Sequence, residues 1–166
     1  LVRGAPDEAR QVVRDTVRLM LMLLLPAAAV TIVDGDAITT LLFGPAYAAA
    51  GPLLAVLFIG QGIGMTLLLV LSAALVGTGA MAALLRANLV ALAVTVLLLP
   101  TIVPLGAMGA ALATAAGCLT GVLLAGTAVW RGLGGWLAGG DLGRLASTSG
   151  AVALLGWSLP GEGLLL

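Results

Sequence analysis

Apolar stretches long enough to cross a lipid bilayer alternate along this chain with short polar or glycine-rich breaks. A hydrocarbon core about 30 Å thick requires roughly 20 apolar residues in helical conformation. Leu53 to Val76 and Ala107 to Trp130 each meet this requirement without a charged residue. The pattern predicts an all-α, polytopic transmembrane helix bundle of about five spans, near residues 19–43, 53–76, 81–103, 107–130 and 145–166.

Proline and glycine positions predict where these spans bend or end. Pro26 is expected to kink the first span, because its ring removes one backbone hydrogen bond. Pro100 and Pro104 should break the third span at its far end, so that a very short turn at Gly106 leads into the fourth. The fifth span has only about 15 apolar residues before Pro160, which predicts a truncated, tilted or re-entrant segment.

The charged residues predict how the chain is oriented. Residues 1–18 interleave charged side chains with Ala and Val, so we expect a cytoplasmic amphipathic segment at the membrane surface, followed by a transmembrane region at 19–166. Short arginine-rich loops stay in the cytoplasm. The span boundaries place all seven basic residues on that side: Arg3, Arg10, Arg14, Arg18, Arg86, Arg131 and Arg144. The turns at Asp34 to Asp36 and at Gly106 should then face outward.

The composition excludes several classes of protein. Hydrophobic residues make up 61% of the 166 and charged residues 8%, whereas soluble domains average about a quarter charged residues. The chain contains no His and no Lys, so an imidazole base or a histidine metal ligand is absent. Cys118 is the single cysteine and lies within an apolar span. With no nucleophile and base pair, phosphate loop or metal cluster in the sequence, we expect no enzymatic activity, no cofactor and no metal.

Glycines spaced four residues apart predict close helix packing. Gly60 and Gly64 form one such pair, and Gly117 and Gly121 form another. The run from Gly60 to Gly64 resembles a nucleotide-binding glycine loop only superficially, because such a loop needs a preceding strand. Packing or bending is the favoured interpretation, and a hinge for alternating access is the functional alternative.

Three polar side chains are candidates for a substrate cavity. Gln61 is an amide in the middle of the second span, where it must find a hydrogen-bond partner. Arg86 and Asn88 lie near the start of the third span. Interhelical bonding for Gln61, and anchoring at the interface for Arg86, are the favoured alternatives; a cavity that accepts polar groups or phosphate is the functional one.

Two carboxylates flank Gly35 within the first apolar region. Asp34 and Asp36 could serve as proton or sodium ligands, as intramembrane carboxylates commonly do. Their position near the predicted outer boundary instead favours a hydrated break in the helix.

Three motifs, taken together, resemble a known transporter family. They are Leu41 to Tyr47 (Leu-Leu-Phe-Gly-Pro-Ala-Tyr), Gly77 to Gly79 (Gly-Thr-Gly), and Pro104 to Thr114, which contains the Gly-x-x-Gly-Ala-Ala turn of Gly106 and Gly109. Their order and spacing resemble the C-terminal half of the polysaccharide biosynthesis transporters. These are Wzx-like flippases of the multidrug/oligosaccharidyl-lipid/polysaccharide superfamily. The resemblance covers about residues 19–130.

That resemblance implies a fold and an activity. Family members typically have two six-helix bundles around a central cavity that opens alternately to each side, and this chain would supply most of the second bundle. The implied substrate is an undecaprenyl-pyrophosphate-linked oligosaccharide moved to the outer leaflet of the bacterial cytoplasmic membrane. The expected partners are the lipid bilayer, that glycan and an N-terminal lobe of the same protein upstream of Leu1; no nucleic-acid partner is expected. Most phosphate-binding residues would belong to that N-terminal lobe.

Two other functions stay open on the sequence. A multidrug cation antiporter of the same superfamily would need a buried carboxylate outside this stretch. A membrane scaffold, or an anchoring subunit of a lipid-modifying enzyme, would use its polar residues only to bind other helices.

Overall fold

The computed structural model describes residues 5–134, and these residues form helices without a β-strand. The α-helices of this range are α1 (Ala5–Phe43), α2 (Gly51–Leu57), α3 (Thr66–Gly77), α4 (Met81–Leu98), α5 (Ile102–Leu105) and α6 (Ala107–Leu133). A 3-10 helix at Pro45–Ala50 precedes α2, a π-helix at Phe58–Met65 joins α2 to α3, and a 3-10 turn at Leu99–Thr101 joins α4 to α5.

Four helical stretches of the described chain are long and apolar enough to cross a membrane. They are span 1 (Asp7–Phe43), span 2 (Pro45–Gly77), span 3 (Met81–Leu105) and span 4 (Ala107–Leu133). The predicted all-α architecture is therefore confirmed, and four of its five predicted spans correspond to these stretches. The predicted span at 145–166 lies outside the described residues.

Span 1 is a single helix that includes the amphipathic N-terminal residues. Asp7 and Glu8 lie in its first turn, where carboxylates interact favourably with the helix dipole. Pro26, where a kink is predicted, lies inside α1 with helical dihedral angles, and the residue that leaves helical dihedral angles is Asp34, with φ −115° and ψ 23°. Helices of membrane proteins can accommodate proline when neighbouring groups compensate for the lost hydrogen bond. Beyond this kink, Gly35 lies so close to span 2 that an added Cβ would be 2.9 Å from the carbonyl oxygen of Gly51.

Span 2 changes helical type in its middle. Its π-helix contains Gly60, Gly62 and Gly64, which lack the side chains that would restrict a wider backbone turn. The hydroxyl of Thr66 donates a hydrogen bond of 2.6 Å to the carbonyl of Gly62 at the return to α-helix. This π-helix was not predicted from the sequence.

Spans 3 and 4 form a tight helical hairpin. α4 ends at Leu98, because Pro100 has no N–H to continue the helix. Gly106 alone connects α5 to α6, with φ +56° and ψ −133°, a conformation essentially restricted to glycine. Gly109 then packs on the preceding helix, where an added Cβ would be 2.9 Å from the nitrogen of Ile102.

The spans are arranged in the order 1, 2, 4, 3. Span 4 packs against both span 2 and span 3, while span 1 packs mainly on span 2. The core of large side chains joins α1, α3 and α6, and α4 contributes one small residue to it. Its buried members are Val13, Val17, Leu21, Leu67, Leu71, Leu75, Ala87, Val122, Ala125 and Val129.

The start of α1 and the end of α6 lie at the same end of the molecule. A Cβ added to Gly134 would be 3.8 Å from Nη1 of Arg10. A groove of about 520 Å³ at this end is lined by residues of α1, α3 and α6, among them Val12, Ala73 and Leu133. We call this the arginine-bearing end, since Arg10, Arg14, Arg18, Arg86 and Arg131 all lie near it. Arg3 and Arg144 lie outside the described residues.

Candidate functional site

Three spans meet at Gly121 of α6. A Cβ added to this buried glycine would lie 3.3 Å from Cδ2 of Leu68 in α3 and 3.4 Å from Cβ of Ala91 in α4. The hydroxyl of Thr95 occupies the position that a Cβ on Gly117, one turn earlier, would need. Such a Cβ would also lie 3.0 Å from the carbonyl oxygen of Ala91. The small residues of α6 therefore bring spans 2 and 3 close to the same strip of helix surface.

The glycines of the π-helix make the other half of this contact. A Cβ added to Gly60 would overlap Ala115, and one added to Gly64 would lie 3.3 Å from Cβ of Cys118. Both glycines are buried. Because Gly117 lies between Ala115 and Cys118, it is level with the middle of the π-helix.

Gln61 follows Gly60 directly and is exposed. One residue of helical rotation, about 85–100°, turns its side chain away from the α6 contact. Because the helix is right-handed, this rotation places the Gln61 side chain on the flank of span 2 that is nearer span 3 and away from α1. The amide makes no hydrogen bond within residues 5–134, although a polar group in lipid needs a partner.

Asn88 and Arg86 lie on opposite flanks of α4. Ala87 between them is buried, and Ala91, one turn on, packs on α6. The two neighbours of Ala87 therefore point about 100° to either side of this contact. Asn88 takes the flank that faces span 2, and Arg86 takes the opposite one; both are exposed. The structure thus does not bring the three predicted cavity residues together, since only Gln61 and Asn88 look onto the same groove.

Thr95 is a further polar residue of this groove, which we had not predicted. It lies seven residues after Asn88 and therefore on the same face of α4. Its hydroxyl donates to the carbonyl of Ala91 at 3.0 Å and lies against Gly117, level with Gln61. Asn88 lies about 10 Å nearer the arginine-bearing end by helical rise. The spacing of Asn88 and Thr95 was the signal in the sequence that could have identified it.

We use the name Gln61 groove for the flanks of spans 2 and 3 that carry Gln61, Asn88 and Thr95, beside the strip of α6 at Gly117 and Gly121 on which these two spans pack. Its two amides can donate and accept hydrogen bonds without carrying charge, and the Thr95 hydroxyl, whose proton is donated to Ala91, can accept one. It therefore suits neutral polar groups, such as hydroxyls, better than phosphate. No Asp or Glu occurs between Ala37 and Gly134, so spans 2, 3 and 4 supply no carboxylate to it.

The remaining predicted residues lie elsewhere. Asp34 and Asp36 are exposed on α1, and the carboxylate of Asp36 lies against Gly51. The hydroxyls of Thr39 and Thr40 both donate to the backbone carbonyl of Asp36, at 3.0 and 2.7 Å. These carboxylates are at the end opposite the arginines. Among residues 5–134, no three potential ligands of the His, Cys, Asp and Glu types come together as a metal site.

Comparison of the chain with protein-family models, with curated proteins and with solved structures finds no match. The candidate site therefore stands on the geometry of the groove.

Proposed function

We propose that this chain forms part of a flippase-type membrane transporter that moves a lipid-linked oligosaccharide across the bilayer. The observation that carries the proposal is the Gln61 groove, in which two exposed amides and a hydroxyl lie along neighbouring flanks of the otherwise apolar spans 2 and 3, with Asn88 about 10 Å from the level of the other two groups. Polar side chains inside a membrane are costly unless they meet a polar partner, and in transporters they commonly line the substrate pathway.

The chemistry of the groove supports a sugar as the group that it holds. Amide and hydroxyl side chains can exchange several hydrogen bonds with the hydroxyls of a saccharide, each contributing about 0.5–1.5 kcal/mol. Arg86 lies on the other flank of α4, so the groove has no cation for a pyrophosphate. The phosphate-binding groups of such a transporter would come from outside the described residues, and the apolar surfaces of spans 3 and 4 would face lipid or the other lobe.

The proposal is tested with the full-length protein in proteoliposomes, by following a fluorescent polyprenyl-pyrophosphate-linked glycan from one leaflet to the other. Gln61→Met and Asn88→Leu replace each amide with an apolar side chain of similar size. We expect each variant to lower the flipping rate at least about tenfold, which corresponds to the loss of roughly one hydrogen bond to the moving group.

The matched control is Arg86→Gln, which changes a neighbouring residue on the opposite flank of α4. We expect its flipping rate to stay within a factor of two of the wild type. Unchanged flipping in both groove variants, at equal amounts of folded protein, would remove the groove from the mechanism. Cation-driven drug efflux without glycan movement would instead favour the antiporter, and loss of folding in both would favour a role in binding another helix.

A further inference from the structure

Three arginines follow one another at four-residue spacing on α1. Arg10, Arg14 and Arg18 therefore form a stripe along one side of the helix. This stripe borders the core, because Val17, between two of them, is fully buried. Arg10 reaches Gly134 at the end of α6, so the stripe is turned toward the seam between α1 and α6.

Arg14 differs from the other two in its surroundings. Arg10 has Asp7 three residues before it, and Arg18 has Asp15 three residues before it, which are positions for ion pairs on a helix. Arg14 has Arg10 and Arg18 one turn away on either side and no carboxylate at either spacing. It is partly buried, and its Nε is buried without a hydrogen-bond partner.

A partly buried guanidinium without a counterion is unfavourable, because burial removes water that would otherwise solvate the charge. Spans 2, 3 and 4 cannot supply the counterion, since no Asp or Glu occurs between Ala37 and Gly134. No carboxylate of α1 lies three or four residues from Arg14 either, so an anion from outside these helices would supply the missing partner. Guanidinium groups bind phosphate through two parallel hydrogen bonds, one of which Nε can donate.

The position of Arg14 along α1 identifies where such an anion would come from. Arg18 is the last charged residue before the uncharged stretch from Leu19 to Val33, which is long enough to enter the hydrocarbon core. Arg14 thus lies one turn outside this stretch, at the depth where lipid headgroups meet the acyl chains.

We propose that Arg14, flanked by Arg10 and Arg18 at the seam between α1 and α6, binds the phosphate of an anionic phospholipid. The bound lipid supplies the counterion that the helices lack. It also links the start of α1 to the end of α6. This site is separate from the Gln61 groove and does not depend on the proposed transport activity.

The test uses the full-length protein in nanodiscs of phosphatidylcholine and phosphatidylglycerol in equal amounts. After extraction in detergent, the lipids that stay with the protein are identified and counted by mass spectrometry. We expect the wild type to retain phosphatidylglycerol preferentially, and Arg14→Gln to lower that preference about fivefold, the effect of losing one cation near a headgroup. Arg86→Gln removes the same charge from span 3 and should change the preference for phosphatidylglycerol less than twofold.

Equal retention by Arg14→Gln and wild type, or an equal loss in Arg14→Gln and Arg86→Gln, would overturn the proposal. A second measurement compares the thermal stabilisation of the protein by inorganic phosphate, in discs of phosphatidylcholine alone, with its stabilisation by phosphatidylglycerol. Equal stabilisation by the two would show a site for a free anion and would overturn the lipid assignment. Arg18→Glu covers the case in which Arg14→Gln does not fold, because it keeps Arg14 and places a carboxylate one turn away. We expect a similar fivefold loss there, and an unchanged preference would contradict the proposal.

Discussion

The two halves of this bundle are held together by different kinds of contact. Near the arginine-bearing end, α1, α3 and α6 share a core of Val and Leu side chains, in which Leu71 and Val17 are fully buried. Around the middle of the bundle, the contacts of α6 with span 2 and α4 are made by small residues, as Gly60 with Ala115 and Gly117 with Thr95. Gln61 and Thr95 lie in the half with the small-residue contacts, and Asn88 lies about 10 Å nearer the arginine-bearing end, beside Ala87 of the core.

This difference has a physical reason. In lipid, apolar side chains gain little by leaving the surrounding solvent, so helices associate through dispersion contacts and close approach of their backbones. Small residues allow that approach and leave the flanks of neighbouring helices free for polar side chains. The large-residue core fills the space between α1, α3 and α6. The glycine contacts bring the helix backbones close together and leave the polar side chains on the flanks of the helices.

The first prediction concerns the large-residue core and has the largest effect. Leu71→Ala should destabilise the protein by about 2–5 kcal/mol, because a cavity remains where a fully buried side chain was. Leu69→Ala is the control, since Leu69 is 61% exposed on the same helix and should change stability by less than about 0.5 kcal/mol. Chemical unfolding in detergent micelles measures both, and equal losses would show that the core is not packed as described.

The second prediction concerns the glycine contacts. Gly60→Ala should destabilise by about 1–3 kcal/mol, because its Cβ would overlap the backbone and side chain of Ala115 and force spans 2 and 4 apart. Gly62→Ala, two residues away in the same π-helix, meets only the ring of Phe58 at 3.5 Å and should be neutral or slightly stabilising. The difference between their melting temperatures is the measurement; a harmless Gly60→Ala would remove the close contact from the description.

The third prediction concerns the hairpin of spans 3 and 4. Gly106→Ala should cost about 1–2 kcal/mol, because Ala cannot adopt φ +56° and ψ −133° without strain. Gly77→Ala serves as its control, since an added Cβ there has no neighbour within 4 Å and the residue ends α3 in helical conformation. If both variants melt at the wild-type temperature, the single-residue turn is wrong.

The fourth prediction separates the groove from both packing regions and has the smallest effect on stability. Asn88→Leu should leave the unfolding free energy within about 0.5 kcal/mol of the wild type, because this side chain is exposed and has no hydrogen bond within the described residues. Its defect should appear only in transport. A large loss of stability would instead assign Asn88 to packing.

Much of the fold could be predicted from local features of the sequence. Long apolar stretches determine four helices that are long and apolar enough to cross a membrane, because length and hydrophobicity of a segment are properties of that segment alone. Pro100 and Gly106 likewise indicate the end of α4 and the turn into α6, since a missing N–H and a positive φ are local constraints. Polar residues such as Gln61 are also visible, because they interrupt an apolar stretch.

Only the tertiary structure decided which of these features come together. The kink at Asp34, the π-helix around Gln61 and the place of span 4 between spans 2 and 3 depend on contacts between residues far apart in the chain. The same holds for Asn88 and Arg86, which are near neighbours in the sequence. They lie on opposite flanks of α4 because Ala87 between them is buried where α4 packs in the bundle. A sequence specifies how long and how apolar each helix is. Which face of a helix contacts its neighbour is decided by tertiary packing, at positions where small residues allow two helices to approach closely.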